Sequence, residues 1–371
     1  MNQNKLLYVK NNQVLVGTLA LTKDKKIAFQ YSDEWLETGF SINPFSLPLN
    51  KNVFIADKNI FDGLFGVFAD SLPDSWGNLL LERFLKSKNL QIQDLNVLDR
   101  LAIIGKNGMG ALSYEPAIKY EFAISDLSLD EINIACGELF NKKNEKNLDD
   151  LFRLGGSSGG ARPKVMLKIN NIDWIIKFSN HIDSKEAGII EYEYFKCAQE
   201  CGIVVPNVKL FPSNLTKGYF GIERFDRCKN ERIHMITVAG LLEVDFRSPC
   251  LDYNDLLKLT NILTNGVDTF EMFKRMCFNV FAHNLDDHAK NFSFIYDSKL
   301  KRYKLSPAYD LTYSNTFFGE HTTSVNGKGK DITDEDLLQV AINNNLSKEK
   351  CKDIISKIKE CVKLRLSKFF K

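Results

Sequence analysis

The chain lacks the sequence features that mark several common protein classes. Its eight cysteines include no Cys-x-x-Cys pair, so neither a zinc ribbon nor a thioredoxin-like site is indicated. No run of 18 apolar residues occurs, and the N-terminal Met-Asn-Gln-Asn-Lys lacks the apolar core of a signal peptide. With 49 basic and 47 acidic residues, the net charge of +2 gives no global argument for nucleic-acid binding. These absences predict a cytoplasmic protein without a membrane partner, and 371 residues suffice for two or more domains.

A glycine-rich segment lacks both common phosphate-binding fingerprints. Residues 155–164 read Gly-Gly-Ser-Ser-Gly-Gly-Ala-Arg-Pro-Lys, with neither a Walker ending nor the G-x-G-x-x-G spacing. Its glycines still let backbone N–H groups approach an anion, and Arg162 and Lys164 add positive charge. Alternating apolar runs on either side of Asn170-Asn171 predict a hairpin with Lys177 on its second strand. Kinases grip ATP phosphates with such a loop, hairpin and lysine, whereas a flexible linker is the alternative interpretation.

The most informative segment is the polar stretch 284–291, Asn-Leu-Asp-Asp-His-Ala-Lys-Asn. It follows a run whose apolar residues recur at spacings of three and four, which predicts a helix. Asp286 and Asn291 have the Asp-x-x-x-x-Asn spacing of the kinase catalytic loop, where the Asp accepts a hydroxyl proton and the Asn binds Mg²⁺. A solvated loop after a helix is the alternative. For His288, the alternative to a part in the chemistry is a structural residue that hydrogen-bonds its neighbours.

Asp310 follows Asn291 by 19 residues and completes a predicted metal site. The segments 292–296 and 303–305 alternate and are joined by a polar turn, which predicts a hairpin that returns the chain to its starting point. Asp310 should therefore lie next to Asn291, where a second carboxylate shares the Mg²⁺ that bridges the nucleotide phosphates. A turn residue that caps the following segment is the alternative.

The order of these parts along the chain is that of a kinase. A helix predicted over 186–201 supplies Glu191 and Glu193 as candidate partners of Lys177, and their spacing does not choose between them. The run at 219–227 starts apolar, turns sharply charged and is the candidate linker strand. We expect three parts: an N-terminal subdomain over 1–147, a nucleotide-gripping part over 148–225, and a mainly helical catalytic lobe over 226–371.

Taken together, the motifs resemble those of one family, the HipA-type serine/threonine kinases, which are toxins of bacterial type II toxin–antitoxin modules. The resemblance covers nearly the whole chain. It rests on Phe68–Asp74, Gly108–Leu112, Ser157–Lys164, Ile175–Lys177, Glu223–Arg227, Asp286–Asn291 and Pro307–Asp310. It implies the α+β fold class, as a two-lobed protein-kinase-like fold with a mixed, β-rich N-terminal part and a mainly helical C-terminal lobe.

The resemblance also implies a role for particular residues. By the resemblance, Asp286 is the general base, and Asn291 and Asp310 are the Mg²⁺ ligands. The implied contacts to ATP are Ser158, Gly159, Gly160, Lys177 and His288, with an adenine-binding hinge at Glu223 and Phe225. Ser157 is the implied site of an inactivating autophosphorylation. Two departures stand out: Asp287 occupies a position where some members have Gly, and Arg162-Pro163 stands where others have Gln-Glu. No Asp-Phe-Gly follows the second hairpin, so activation-loop control of the eukaryotic type is not expected.

The implied function is an ATP- and Mg²⁺-dependent serine/threonine protein kinase that inhibits growth. Its implied substrate is a translation component such as an aminoacyl-tRNA synthetase. Its implied partner is a small helix-turn-helix antitoxin, and the kinase would contact DNA only indirectly, through that antitoxin. Two alternatives stay open. One is a small-molecule kinase of the aminoglycoside phosphotransferase kind, which also uses Asp-x-x-x-x-Asn. The other is an inactive co-repressor that helps an antitoxin grip its operator, and the intact Lys177, Asp286, Asn291 and Asp310 count against it.

Overall fold

The fold is that of a computed structural model, which describes residues 4–56, 60–118, 120, 127–141, 147–156, 159–179, 184–229, 231–316 and 318–370. The helices are α1 (Asp33–Thr38), α2 (Gly66–Ala69), α3 (Ser75–Ser87), α4 (Val97–Ile104), α5 (Leu129–Phe140), α6 (Leu148–Gly155), α7 (Ala187–Glu200), α8 (Val238–Leu242), α9 (Tyr253–Thr264), α10 (Thr269–Phe281), α11 (Asp334–Asn343) and α12 (Lys348–Leu366). Short 3-10 turns lie at Ile60–Gly63, Ile92–Asp94, Ala289–Asn291 and Ser367–Phe369. The strands are β1 (Leu6–Asn11), β2 (Val14–Leu21), β3 (Ile27–Tyr31), β4 (Phe54–Ile55), β5 (Leu112–Glu115), β6 (Lys164–Ile169), β7 (Ile172–Lys177), β8 (Val208–Phe211), β9 (Tyr219–Glu223), β10 (Arg227–Cys228), β11 (Glu231–Arg232), β12 (Met235–Thr237), β13 (Leu251–Asp252), β14 (Ser293–Asp297), β15 (Arg302–Leu305) and β16 (Thr323–Ser324).

By their internal contacts, the residues fall into two compact units. The first unit comprises Met1–Gly188, Leu210–Ile236 and Gly240–Glu243. The second comprises Ile189–Lys209, Thr237–Ala239 and Val244–Lys371. The three-part division expected from the sequence stays a prediction.

The first unit begins with an antiparallel sheet whose strand order is β4-β3-β2-β1-β5. Burial alternates along β1: Leu7 and Val9 are fully buried, while Leu6 and Tyr8 are 42% and 46% exposed. Successive side chains of a strand point to opposite faces, so this alternation places one apolar face against the core.

A second antiparallel sheet of the first unit contains β6, β7 and β9. Asn170 and Asn171 join β6 to β7 with φ values of 51° and 61°, the left-handed backbone that a two-residue hairpin turn requires. The hairpin predicted around these asparagines is therefore confirmed. On the inner face, buried side chains of β6 and β7 pack in one core with side chains of α3 and α6; among them are Val165, Ile176, Trp76, Leu80 and Phe152.

The second unit is mainly helical. In α12 the buried residues recur at spacings of three and four, as expected of an amphipathic helix; they are Cys351, Ile355, Ile358, Val362 and Leu366. Ser347 caps the N-terminus of α12, and Thr333 and Asp336 form a capping box at α11. The predicted hairpin after the polar stretch is confirmed as β14 and β15, which pair antiparallel with Phe294 opposite Leu305.

The predicted fold class is confirmed: the chain is α+β, with most of its strands in the first unit and with helices in both units, which dominate the second. The helix predicted over 186–201 corresponds to α7, and the strand at the start of 219–227 corresponds to β9. In the described part of the chain, no helix is long and apolar enough to cross a bilayer.

Candidate active site

The predicted catalytic loop of the second unit starts at Asn284, three residues after the end of α10, and is held by a segment farther along the chain. His283 has a φ of 51°, which turns the chain out of the helix. The Ser314 N–H donates to the His283 carbonyl at 3.1 Å, and the Ser314 hydroxyl accepts from the Asp286 N–H at 2.9 Å. The backbone that carries Asp286 is therefore fixed before any substrate binds.

The two adjacent aspartates of the loop lie in opposite surroundings. The Asp286 side chain is 61% exposed, whereas that of Asp287 is completely buried. His288 places its Nε2 atom 3.9 Å from the Asp286 carboxylate. Of the two, Asp286 is open to solvent and Asp287 is part of the interior, while the catalytic role of Asp286 stays a prediction.

Asp287 is the acceptor of a buried hydrogen-bond network that sequence reasoning missed. Its carboxylate accepts from the Tyr253 hydroxyl at 2.8 Å, from His321 Nδ1 at 2.8 Å and from the Thr323 N–H at 3.0 Å. Burial, and then the charge of Asp287, raise the pKa of Tyr253 well above its ordinary value, so the phenol remains a donor. The network continues, because Asn279 donates to the Tyr253 oxygen at 2.9 Å.

Asn291 is oriented by the loop itself. Its Nδ2 donates to the Asp286 carbonyl at 2.6 Å, and because a carbonyl can only accept, the Oδ1 atom faces the other way. His288 Nδ1 accepts from the Lys290 N–H at 3.2 Å and caps the 3-10 turn that carries Asn291. The structural alternative for His288 therefore describes part of what the residue does. With Nδ1 as acceptor, the proton of the neutral ring lies on Nε2, on the side of Asp286.

The hairpin of β14 and β15 brings the segment with Asp310 back to the catalytic loop. The Tyr309 hydroxyl donates to the Lys290 carbonyl at 2.7 Å, and Asn284 Nδ2 lies 3.5 Å from the Asp310 carbonyl. Asp310 has a φ of 52°, a backbone conformation that is uncommon for a residue with a side chain. Such conformations cluster at functional sites, where the surrounding structure enforces them.

In the first unit, two lysines lie side by side where the glycine-rich segment ends. Lys164 of β6 is directly opposite Lys177 of β7 in the antiparallel register, so both side chains project from the same face of the sheet. Lys164 is 8% exposed, and its Nζ atom would lie 2.8 Å from a Cβ on Gly160, whose φ is 80°. The positive φ favours glycine at position 160, where a Cβ would also displace the end of the Lys164 side chain.

The same segment is anchored by a residue of the N-terminal motif. The Gly160 N–H donates to the Asp74 carboxylate at 3.2 Å, and the Trp76 N–H donates to the Gly160 carbonyl at 3.1 Å. A Cβ on Gly159 would lie 3.0 Å from an Asp74 oxygen. Ser157 and Ser158 lie outside the described residues, so their assignments stay predictions.

The predicted adenine-binding hinge is built on a buried charge cluster. Glu223 ends β9 and Phe225 follows it, with Arg224 and Asp226 buried between and after them. Arg224 binds the Asp226 carboxylate at 3.0 and 2.7 Å, and Arg227 binds it at 2.7 Å. Burial alone would raise the pKa of Asp226, but the two guanidiniums and the Gly110 N–H lower that pKa to about 2.

The arginines of this cluster also hold the loop at 108–110, another motif of the resemblance. Arg227 donates to the carbonyls of Gly108 and Gly110 at 3.0 and 2.9 Å, and Arg232 donates to the same two carbonyls at 3.1 and 3.0 Å. Burial lowers the pKa of Arg227 to about 10, so the guanidinium stays charged at neutral pH. The hinge segment and the loop at 108–110 therefore form one structural assembly within the first unit.

The acidic helix offers two differently engaged glutamates. Glu193 binds Arg365 of α12 at 3.1 Å within the second unit, whereas Glu191 is 2% exposed. Which of them pairs with Lys177 stays an open prediction.

Comparisons with known proteins identify the family of this chain. The profile of the HipA-like C-terminal domain matches residues 156–365, and that of the HipA N-terminal domain matches residues 7–115. HipA of Shewanella oneidensis MR-1, solved in complex with HipB and operator DNA, superimposes with a TM-score of 0.74 and 19% identity over 98% of this chain and 90% of that chain, a likeness that shows the fold. A Sinorhizobium fredii protein named "Putative kinase Y4dM" is 27% identical over 196 residues, so the match spans 47% of this chain and 47%, about half, of that relative. Because the two profiles together match most of its length, the chain belongs to the HipA family.

Proposed function

We propose that this HipA-family protein is a kinase that transfers the γ-phosphoryl group of ATP to a serine or threonine hydroxyl. The observation that carries the proposal is the geometry of the catalytic loop in the second unit. Asp286 exposes its carboxylate from a fixed backbone, Asn291 turns its amide oxygen away from the loop, and the hairpin returns Asp310 to the same loop. Phosphoryl transfer depends on such positioning more than on covalent chemistry by the protein.

The side chains of the loop fit a Mg²⁺ ion. Mg²⁺ takes oxygen ligands, and Asn291 Oδ1 and the Asp310 carboxylate would supply two of them. The enforced backbone conformation of Asp310 supports a functional role for its side chain. When bound, Mg²⁺ neutralises charge on the phosphates.

Asp286 acts as the general base by accepting the proton of the substrate hydroxyl. Its N–H is bound by Ser314 and its carbonyl by Asn291, so the residue loses little freedom when the substrate arrives. His288 Nε2, at 3.9 Å, adds a polarised N–H beside the carboxylate and helps to orient it.

In the first unit, Lys164 and Lys177 bind the ATP phosphates. The two lysines are directly opposite each other in the strand register and project from one face of the sheet, so their ammonium groups can meet the same anion. The glycine-rich segment, which leads into Lys164, would add neutral N–H donors other than that of Gly160, which Asp74 holds. Glu223 and Phe225 hold the adenine, on a hinge that the Arg224–Asp226 pair keeps rigid.

The proposal extends to a toxin with a protein partner. HipA of S. oneidensis was solved with HipB and operator DNA, which supports a small helix-turn-helix antitoxin as the partner here and DNA contact through that antitoxin. We further propose a translation component, such as an aminoacyl-tRNA synthetase, as the substrate. Autophosphorylation of Ser157 would add about −1.5 to −2 charge beside the glycines and compete with ATP for their N–H donors.

Transfer from labelled ATP in the presence of Mg²⁺ tests the proposal, with the chain itself and an aminoacyl-tRNA synthetase as acceptors. We expect the wild-type protein to transfer phosphate to protein, Asp286→Asn to transfer none, and Asp353→Asn, an exposed aspartate on α12, to match the wild type. Mass spectrometry should locate self-phosphorylation on Ser157 or Ser158. Transfer to an aminoglycoside alone would favour the small-molecule kinase, and ATP binding without any transfer would favour the co-repressor.

A further inference from the structure

Three thiols converge in the second unit, and the catalytic loop uses none of them. Cys197 lies on α7, Cys201 directly follows that helix, and Cys361 lies on α12. Their sulfur atoms all lie within 4.8 Å of one another, and the Cys197 and Cys361 sulfurs are 3.8 Å apart. Cys197 and Cys201 are buried, whereas Cys361 is partly exposed, so solvent reaches one edge of the cluster.

The spacing of these sulfurs suits a tetrahedral metal ion. Zinc–thiolate bonds are about 2.3 Å long, and the tetrahedral angle then separates two ligating sulfurs by about 3.8 Å. The 3.8 Å between Cys197 and Cys361 meets this requirement without a change of backbone. Cys197 and Cys201 are four residues apart, the spacing with which one helical face presents two ligands to a zinc ion.

A guanidinium beside the cluster has one N–H group left to donate. Arg365 follows Cys361 by one helical turn, and its Nη atoms bind Glu193 and Glu200, which flank Cys197 on α7. Its Nε atom is buried and has no hydrogen-bond partner among the residues that the structure describes. The two glutamates already balance the guanidinium charge, but a thiolate sulfur of the cluster would accept from the unpaired Nε–H.

We propose that Cys197, Cys201 and Cys361 bind one Zn²⁺ ion, with a solvent molecule as the fourth ligand. Each thiol that ligates the ion releases its proton to solvent. The ion would tie the C-terminal helix α12 to α7, and thereby stabilise the second unit. The role is structural and does not depend on the proposed phosphoryl transfer.

Cobalt and zinc titrations of the reduced, metal-free protein test the proposal. We expect one Co²⁺ per chain, with the near-ultraviolet charge-transfer absorption of thiolate ligands and the visible bands of a tetrahedral site. Cys361→Ser should weaken Zn²⁺ binding by at least about tenfold, because a protein ligand is lost. Cys228→Ser and Cys250→Ser, which change exposed cysteines outside the cluster, should bind as the wild type does.

A second measurement uses the wild-type protein and does not depend on whether a variant folds. Bound Zn²⁺ should slow alkylation of Cys361, followed by mass spectrometry, while the exposed Cys228 and Cys250 react at unchanged rates. The absence of thiolate-to-cobalt absorption would overturn the proposal. So would undiminished Zn²⁺ affinity of Cys361→Ser, equal alkylation with and without zinc, or a Cys197–Cys361 disulfide as the only change that the cluster undergoes.

Discussion

Substituting each of the two adjacent aspartates of the catalytic loop in turn should separate stability from chemistry. Asp287→Asn keeps the size of the side chain but removes the charge that three buried donors share: the Tyr253 hydroxyl, His321 Nδ1 and the Thr323 N–H. A hydrogen bond to a charged acceptor contributes about 1 kcal/mol more than a neutral one. Three such losses lower the free energy of unfolding of the second unit by about 3 kcal/mol.

Asp286→Asn is the matched control, because it makes the same chemical change one residue earlier. The Asp286 side chain is 61% exposed, so its loss of charge should change the free energy of unfolding by less than about 0.5 kcal/mol. The same substitution should abolish phosphoryl transfer, whereas folded Asp287→Asn protein should retain part of it at low temperature.

Urea unfolding followed by far-ultraviolet circular dichroism measures the difference, because helices of both units contribute to that signal and the first unit can be followed separately. Tryptophan fluorescence gives a separate signal for the first unit, because Trp35, Trp76 and Trp174, the three tryptophans of the chain, all lie there. Equal dichroism midpoints for Asp287→Asn and the wild type would refute the buried network as a source of stability. An equal decrease in the free energy of unfolding in the two variants would refute the division of roles between the aspartates.

Three further predictions address the metal site, the phosphate site and pH. Asp310→Asn should preserve the fold, because Asn also tolerates a φ of 52°, and should weaken Mg²⁺-dependent ATP binding in a titration; unchanged affinity would remove Asp310 from the metal site. Lys177→Met should weaken ATP binding without loss of stability, whereas Lys168→Met, an exposed lysine at the other end of the β6–β7 hairpin, should leave binding unchanged. Burial, partly offset by the hydrogen bond to the Ile42 carbonyl, lowers the pKa of His234 to about 4. Below the unfolded-state pKa of about 6.5, only the unfolded state takes up the proton. The free energy of unfolding of the first unit, followed by tryptophan fluorescence, should therefore fall by about 2 kcal/mol between pH 7 and pH 5. The fall should be smaller in His234→Gln.

Local sequence patterns predicted the elements of the fold well. The Asn170-Asn171 turn and the hairpin after Asn291 each depend on residues close in the chain, and both were confirmed. The motifs of the resemblance predicted the family, which the two family profiles confirm. The same motifs selected Asp286, Asn291 and Asp310 as the candidate site residues, and the roles of these residues stay predictions.

The sequence did not reveal what holds those residues in place, because the supporting contacts join distant segments. Asp287 meets Tyr253, 34 residues earlier, and His321, 34 residues later. No periodicity links these positions, and a buried carboxylate next to an exposed one looks identical in a sequence. The cysteine cluster was missed for the same reason, since Cys361 stands 164 residues after Cys197.

The distant contacts also explain why motifs far from the chemistry belong to the family pattern. Asp74 binds the Gly160 N–H, so the N-terminal motif fixes the end of the glycine-rich segment. Gly110 donates its N–H to Asp226, and so the loop at 108–110 fixes the hinge. Asp226 is fully buried, and a buried carboxylate whose partner is removed keeps its full desolvation cost, so the hinge depends on the loop at 108–110. Each N-terminal motif therefore acts together with the segment that it hydrogen-bonds: Asp74 with the glycine-rich segment, and Gly110 with the hinge. These two hydrogen-bonded pairs position the residues that are proposed to bind ATP.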